Sequence, residues 1–338
     1  MTEVTQSMIE EIVSNLYRTE IPLPGSPLKW LNSYIVKGGD RFLIIDTGFD
    51  HEACLNAMNA SIQKLGVDLD KTDFFITHLH VDHMGLTGNL AKEKSKVYFN
   101  EREARRMNAR HDVRDDGSNN DWQKLIDVYI ANGFNADGAR ISMESHPAHQ
   151  YGLKRKIEFA VVNEGDILDI GDFHFRCVAT PGHSPGHTSL YESNKKILVA
   201  GDHILFDITP NIAYWLEMED ALGQYLASLE KVNALDVKLV LTGHRRLVHD
   251  LQKRVKELQV HHRNRLNEVL VALSDGEKDA LQIAPHIKWD ITAKNWEEFP
   301  PPQKWFAFGE TLSHVRYLEA RGKVRQRNQN GKIKYALA

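Results

Sequence analysis

The sequence predicts an α+β fold whose strands end on one polar edge, followed by a smaller, mainly helical domain. Three observations predict it. Short apolar runs at residues 74–76, 177–180, 197–200 and 239–241 each give way within a few residues to histidine or aspartate. Between them lie segments with the three- and four-residue apolar spacing of amphipathic helices. Beyond residue 250 the strand rhythm stops and helical spacing dominates.

Ile21-Pro22-Leu23-Pro24-Gly25 reads as an extended lead-in. Residues 31–36 and 42–45 read as a hairpin around Lys37-Gly38-Gly39-Asp40. Residues 51–65 read as a helix, with Cys54, Leu55, Met58 and Ile62 near helical spacing. Phe74-Phe75-Ile76 is a short buried strand, 84–94 a helix and 96–99 a strand. Residues 101–150 break the rhythm. A charged helix over 101–110 and a turn-rich loop at 115–120 precede a helix over 122–132, whose apolar face is Leu125, Ile126, Tyr129 and Ile130. This stretch reads as a helical insertion, either a cap over the polar edge, since specificity commonly sits on segments grafted onto a scaffold, or a peripheral helix pair. The later strands run into Pro181-Gly182-His183, Gly201-Asp202-His203 and Thr242-Gly243-His244. Glycine there permits a tight turn and close backbone approach. A long helix over 247–273 follows, with Leu251, Val255, Leu258, Leu266, Val269 and Leu270 recurring. The tail continues through a Pro-rich turn at 299–302, a helix over 305–321 and a hairpin of 324–327 with 332–335. Asn330-Gly331 is a strong hairpin signal. The expected domains are 1–250, carrying the insertion, and 251–338.

Thr77-His78-Leu79-His80-Val81-Asp82-His83 carries the chemistry. Three imidazoles and a carboxylate in six positions compete for solvent and repel when protonated, so a metal is the natural partner. Zinc, iron and manganese all take these donors. His-x-His-x-Asp-His followed by His183, Asp202 and His244, with Ile44-Ile45-Asp46-Thr47-Gly48 upstream, resembles the metallo-β-lactamase fold superfamily over roughly residues 20–250. The resemblance implies a four-layer αββα sandwich. It also implies two sites, with His78, His80 and His183 holding one metal, Asp82, His83 and His244 a second, and Asp202 bridging them. The tail's element order resembles a winged-helix domain, which some members carry at this end.

Asp46 is either a turn-former or an acceptor that orients a ligand histidine. His187 is expected behind the ligands or against substrate, and His203 beside the site or packed. Phe206, Tyr214 and Trp215 line an acyl pocket or fill the core.

The bridging Asp202 resembles the glyoxalase II, lactonase and ribonuclease branches, whereas the zinc β-lactamases lack that bridge. The resemblance therefore implies a binuclear hydrolase in which a hydroxide shared by two divalent metals attacks an ester, thioester or lactone. Zinc is the first choice, with manganese or iron accepting the same donors. Asp82 would also orient the nucleophile. The alternative is a nuclease or phosphodiesterase whose basic tail holds nucleic acid. Residues 261–338 carry 13 basic and 9 acidic side chains, a net of +4, in a chain of net charge −4. Otherwise the tail packs or makes a homodimer. Two cysteines in 338 residues, Cys54 and Cys177, match no ligand spacing and fit a reducing cytoplasm. The polar start and the lack of a ~20-residue apolar run predict a cytoplasmic protein with no membrane partner.

Overall fold

The computed structural model describes residues 8–111 and 121–338. One sheet runs β1 (Ile9–Val13), β2 (Leu16–Pro22), β3 (Trp30–Lys37), β4 (Phe42–Ile45), β5 (Thr72–Phe75), β6 (Val97–Asn100) and β7 (Phe159–Val162) in spatial order. It is antiparallel through β4 and parallel from β4 to β7. The second sheet comprises β8 (Ile167–Ile170), β9 (Phe173–Ala179), β10 (Thr188–Glu192), β11 (Ile197–Gly201) and β12 (Leu239–Thr242). Its β11 and β12 are parallel.

Alternation along the strands makes the sandwich. In β4, Leu43 and Ile45 face the second sheet while Phe42 and Ile44 face helix α1 (Glu52–Leu65). In β11, Ile197 and Val199 join that inter-sheet core, while Leu198 and Ala200 pack on α8 (Ala221–Asn233) and α9 (Leu251–Ala272). The layers are therefore helix, sheet, sheet, helix.

Between β5 and β6 the structure departs from the single helix read over 84–94. It has two one-turn helices, α2 (Val81–Met84) and α3 (Thr87–Leu90). The break falls at Gly85, where a Cβ would lie 2.6 Å from Asp50 N and 2.8 Å from Gly48 O. The chain is pressed there against the loop after β4, and Leu86 N donates to Gly48 O. The insertion contains α4 (Glu101–His111), α5 (Asp121–Ala131), α6 (Ala136–Glu144) and α7 (Pro147–Gln150). The turn-rich loop at 115–120 lies outside the described residues. Sequence reading missed α6 and α7, and also β1, β7, β8, β10 and α8.

The long helix begins at Leu251 rather than 247, because the Asp250 side chain accepts from Lys253 N and caps it. After it come α10 (Ala280–Ile283), α11 (Pro301–Ala320), and a hairpin of β13 (Val324–Gln329) and β14 (Lys332–Leu337). Asn330 and Gly331 take left-handed φ of 53° and 80°, as a two-residue hairpin turn requires. Ile126, Tyr129 and Phe134 from the insertion share one core with Val269, Trp305, Phe308, Leu312 and Tyr335. The insertion and the tail are thus packed on each other. Among the described residues, no helix is long and apolar enough to cross a membrane.

Candidate metal centre

Strand ends bring the polar residues together. β4 and β5 run side by side, so Asp46 and the loop from Ile76 leave the same edge. Asp202 follows β11 and Gly243-His244 follow β12, its parallel neighbour. Gly243 N donates to Gly201 O, and Thr188 N crosses between sheets to Thr77 O. A Cβ on Gly243 would lie 2.3 Å from an Asp202 carboxylate oxygen and 2.8 Å from the His83 ring, so no other residue fits there.

Two outer groups of donor atoms result, His78, His80 and His183 in one and Asp82, His83 and His244 in the other, and His78, His83 and Asp202 form an overlapping third. In the first, His80 Nδ1 lies 2.9 Å from both His78 Nε2 and His183 Nε2. Between the groups stands Asp202. Its Oδ2 is 3.6 Å from His183 Nε2, and its Oδ1 is 3.4 Å from His83 Nε2 and 3.5 Å from His244 Nε2. Asp82 Oδ2 is 3.3 Å from His244 Nε2.

The far sides of the rings fix their tautomers. His183 Nδ1 donates to Asn211 O at 2.8 Å, and His244 Nδ1 to Trp30 O at 2.8 Å. His83 Nδ1 donates to Asp46 Oδ2 at 2.7 Å. Thr77 Oγ1 donates to Asp46 at 2.8 Å, and so accepts from His78 Nδ1 at 3.0 Å. Each of these four rings therefore turns its Nε2 inward. His83 Nε2, His244 Nε2 and Asp202 Oδ1 are buried without a hydrogen-bond partner. Three converging imidazole lone pairs suit one cation better than any set of shared protons. The donor set fits divalent metal binding.

Charge agrees. Burial, then neighbouring imidazoles, holds His78 and His80 well below the ordinary histidine range, and burial lowers His183. Burial also pulls on His244, but Asp202 and Asp82 outweigh it and raise it to about 10. Asp46, Asp202 and Asp82 likewise raise His83 against burial. Burial would raise Asp202, yet His244 and His83 hold it well below the carboxylate range. One half of the site is neutral and nitrogen-rich, and the other is held by carboxylate charge.

The profile of the Metallo-beta-lactamase superfamily matches residues 31–244, the span that contains this whole constellation. The chain belongs to that superfamily. Among its relatives is a protein described as a probable metallo-hydrolase, YqjP of Bacillus subtilis, 24% identical over 299 residues, covering 85% of this chain and 87% of the relative. The acyl-coenzyme A thioesterase MBLAC2 of Bos taurus is 25% identical over 226 residues, covering 63% of this chain and 72% of its own. The metallo-β-lactamase family protein TTHA1429 of Thermus thermophilus superposes with a TM-score of 0.75 at 25% identity, covering 96% of this chain and 99% of its own. A β-lactamase domain protein from Burkholderia ambifaria shares the fold, with a TM-score of 0.81 at 24% identity over 98% of this chain and 94% of its own.

Within this superfamily site, the remaining sequence-predicted residues divide. Asp46 accepts from Thr77 N, Thr77 Oγ1 and His83, so it orients a ring of the second group. It does so in a left-handed backbone conformation, φ 59°. His187 is fully buried beside His78, with Nδ1 2.8 Å from Thr180 Oγ1. His203 is packed against Tyr225. Trp215 stacks on His80 and donates to His183 O at 3.2 Å. Tyr214 instead packs with the helical core, and Phe206 is exposed beneath Arg246. A further group, His261, His262 and Glu310, also lies within metal-binding distance. There Glu310 is already ion-paired with Arg265, whose charge opposes a cation.

Sequence reading missed Glu103 of α4. It is fully buried and accepts from Ser184 Oγ and, at 2.9 Å, from Gly186 N, pinning the loop that carries His183. A lone glutamate in a charged helix gives no signal of this. Burial pushes Glu103 from 4.5 up to about 7, against the hydrogen bonds and Arg106. The folded state therefore holds its proton more tightly than the unfolded state, and stability falls as pH rises through that interval. Glu103→Gln keeps an acceptor and removes the titration. Urea unfolding should show the variant gaining on wild type between pH 4.5 and 8, by about 3 kcal/mol. A difference constant with pH would contradict the assignment.

Proposed function

We propose that this protein is a binuclear metal-dependent hydrolase of carboxylic esters, thioesters or lactones. The observation that carries this reading is Asp202, which turns one carboxylate oxygen toward each donor group. On it, His78, His80 and His183 hold one divalent cation, Asp82, His83 and His244 a second, and Asp202 contributes to both. Nitrogen and oxygen donors in sets of this size favour zinc, and manganese or iron use the same atoms. When bound, such cations lower the pKa of water and polarise a carbonyl oxygen.

The chain's own groups supply the rest. Asp202 sets the spacing of the two groups. Asp82 orients the attacking water. Asp46, Thr77, Asn211 and the Trp30 carbonyl keep the ring lone pairs aimed inward. The Trp215 ring beside His80 offers an apolar wall for an acyl chain. A thioester is the first substrate class to try, because a relative aligned over 63% of this chain carries the name acyl-coenzyme A thioesterase.

The basic tail favours a second reading, a nuclease or phosphodiesterase. The charges themselves weigh against it. Arg321 pairs with Asp220, Arg327 with Glu277 and Lys334 with Asp279, while Lys332 donates to Ile130 O. Side chains held this way have less to give to phosphates. We read residues 251–338 as a winged-helix-like packing domain, on the order α10, α11, β13, β14.

The test is initial rates of metal-loaded protein on an acyl thioester, an aryl ester, a lactone, a bis-aryl phosphodiester and single-stranded RNA, with His78→Ala as blank. Turnover confined to the carbonyl substrates is expected. Turnover confined to the phosphodiester or RNA would replace this reading with the second.

A further inference from the structure

The helix α11 reaches the metal centre through one buried chain of polar contacts. Arg265 on α9 and Glu310 on α11 form an ion pair, and both are nearly inaccessible to solvent. The second carboxylate oxygen of Glu310 accepts from Asn211 Nδ2 at 2.7 Å. The backbone oxygen of that same Asn211 accepts from His183 Nδ1 at 2.8 Å. Thus the carbonyl that fixes the tautomer and ring plane of His183 is itself held in place from the C-terminal segment, roughly a hundred residues away in sequence. Two neighbouring contacts tie the same loop down. Tyr214 N donates to Gly309 O at 2.9 Å, and Trp215 Nε1 donates to His183 O at 3.2 Å.

A buried ion pair costs desolvation and adds little net stability over an apolar replacement. Its placement here gives it a second task. Arg265 also donates to Lys288 O at 3.1 Å and lies over the Trp289 ring, which fix the guanidinium, and the guanidinium fixes Glu310. Glu310 then has one oxygen for Arg265 and one for Asn211, with no freedom to rotate away from either. Partners that orient a ligating histidine typically change metal affinity by about 10–100-fold when removed.

We infer that Glu310 and Arg265 are positioning residues for His183, so that the C-terminal segment sets the metal affinity of the His78–His80–His183 group. The inference rests on the binuclear reading above. It gives the tail a role inside the site rather than as a separate binding module.

The test compares two double variants of the full chain. Arg265→Met with Glu310→Gln removes both charges but keeps a carbonyl acceptor for Asn211. Arg265→Met with Glu310→Leu removes the charges and the acceptor together. Zinc affinity is measured by competition with a chromophoric chelator, and the ligand-field spectrum of the cobalt-substituted protein is recorded beside it. The leucine pair is expected to bind its weaker-held ion at least about tenfold less tightly than the glutamine pair, with a changed cobalt spectrum. Asn211→Ala cuts the chain without touching the ion pair, should show the same loss, and decides the matter if the leucine pair does not fold. Equal affinities and spectra across wild type, both pairs and Asn211→Ala would overturn the inference while leaving the binuclear reading intact. Wild-type protein that binds no zinc would overturn the binuclear reading itself, and the inference with it.

Discussion

Asp202→Ala is expected to lower acyl hydrolysis on the order of a thousandfold, and to reduce bound metal in the same protein. The reason lies in its two oxygens, which face His183 on one side and His83 and His244 on the other. In the proposed site, removing Asp202 would take a negative charge from between two cations and leave His83 Nε2 and His244 Nε2 without the carboxylate oxygen that faces them. Asp202→Asn is the sharper variant, since it keeps the volume and loses the charge. Near-normal rates in both variants would remove the bridge from the account.

Asp46→Gly is expected to be nearly as damaging, through a residue that touches no metal in the proposed site. Three donors, Thr77 N, Thr77 Oγ1 and His83 Nδ1, converge on this buried carboxylate. Glycine suits the left-handed φ of 59°, so the substitution adds no backbone strain and isolates the side chain. Leaving these donors unpaired should cost about 3 kcal/mol of stability. Freeing the His83 ring should weaken metal binding at its group by about 10–100-fold. Thermal denaturation with and without added zinc separates the two effects, because only the second reduces the stabilisation that zinc confers. An unaltered zinc-induced shift would mean that Asp46 supports the fold alone.

The cluster of candidate donors was legible in the sequence because its members follow apolar runs, where strand period and glycine mark the turn. The αββα layering came from the family resemblance, and the runs in β4 and β11, apolar on both faces, agree with it. What orients the ligands was mostly not legible. Asp46 carried a hint, lying after a strand and before Thr-Gly. Glu103, Asn211, Arg265 and Glu310 carried none, because each acts through a partner distant in sequence. Their neighbours spell an ordinary charged helix, a loop, and two helices whose polar residues do not announce that they are buried. The aromatics after Asp202 show the limit from the other side. Proximity in sequence left these three between pocket lining and core packing, and the fold places Trp215 beside His80, Tyr214 in the helical core and Phe206 on the surface. The single helix expected over 84–94 failed at Gly85 because backbone packing against residues 48–50 overrode local spacing.

The central claim is that these donors hold two catalytic cations. The most direct measurement titrates chelator-stripped protein with zinc, following bound metal and acyl-thioester hydrolysis together in wild type and Asp202→Ala. The expected result is saturable binding of two ions by wild type, hydrolysis that rises with occupancy, and loss of both in the variant. Hydrolysis that persists in the stripped protein, or metal binding that Asp202→Ala leaves unchanged, would contradict it.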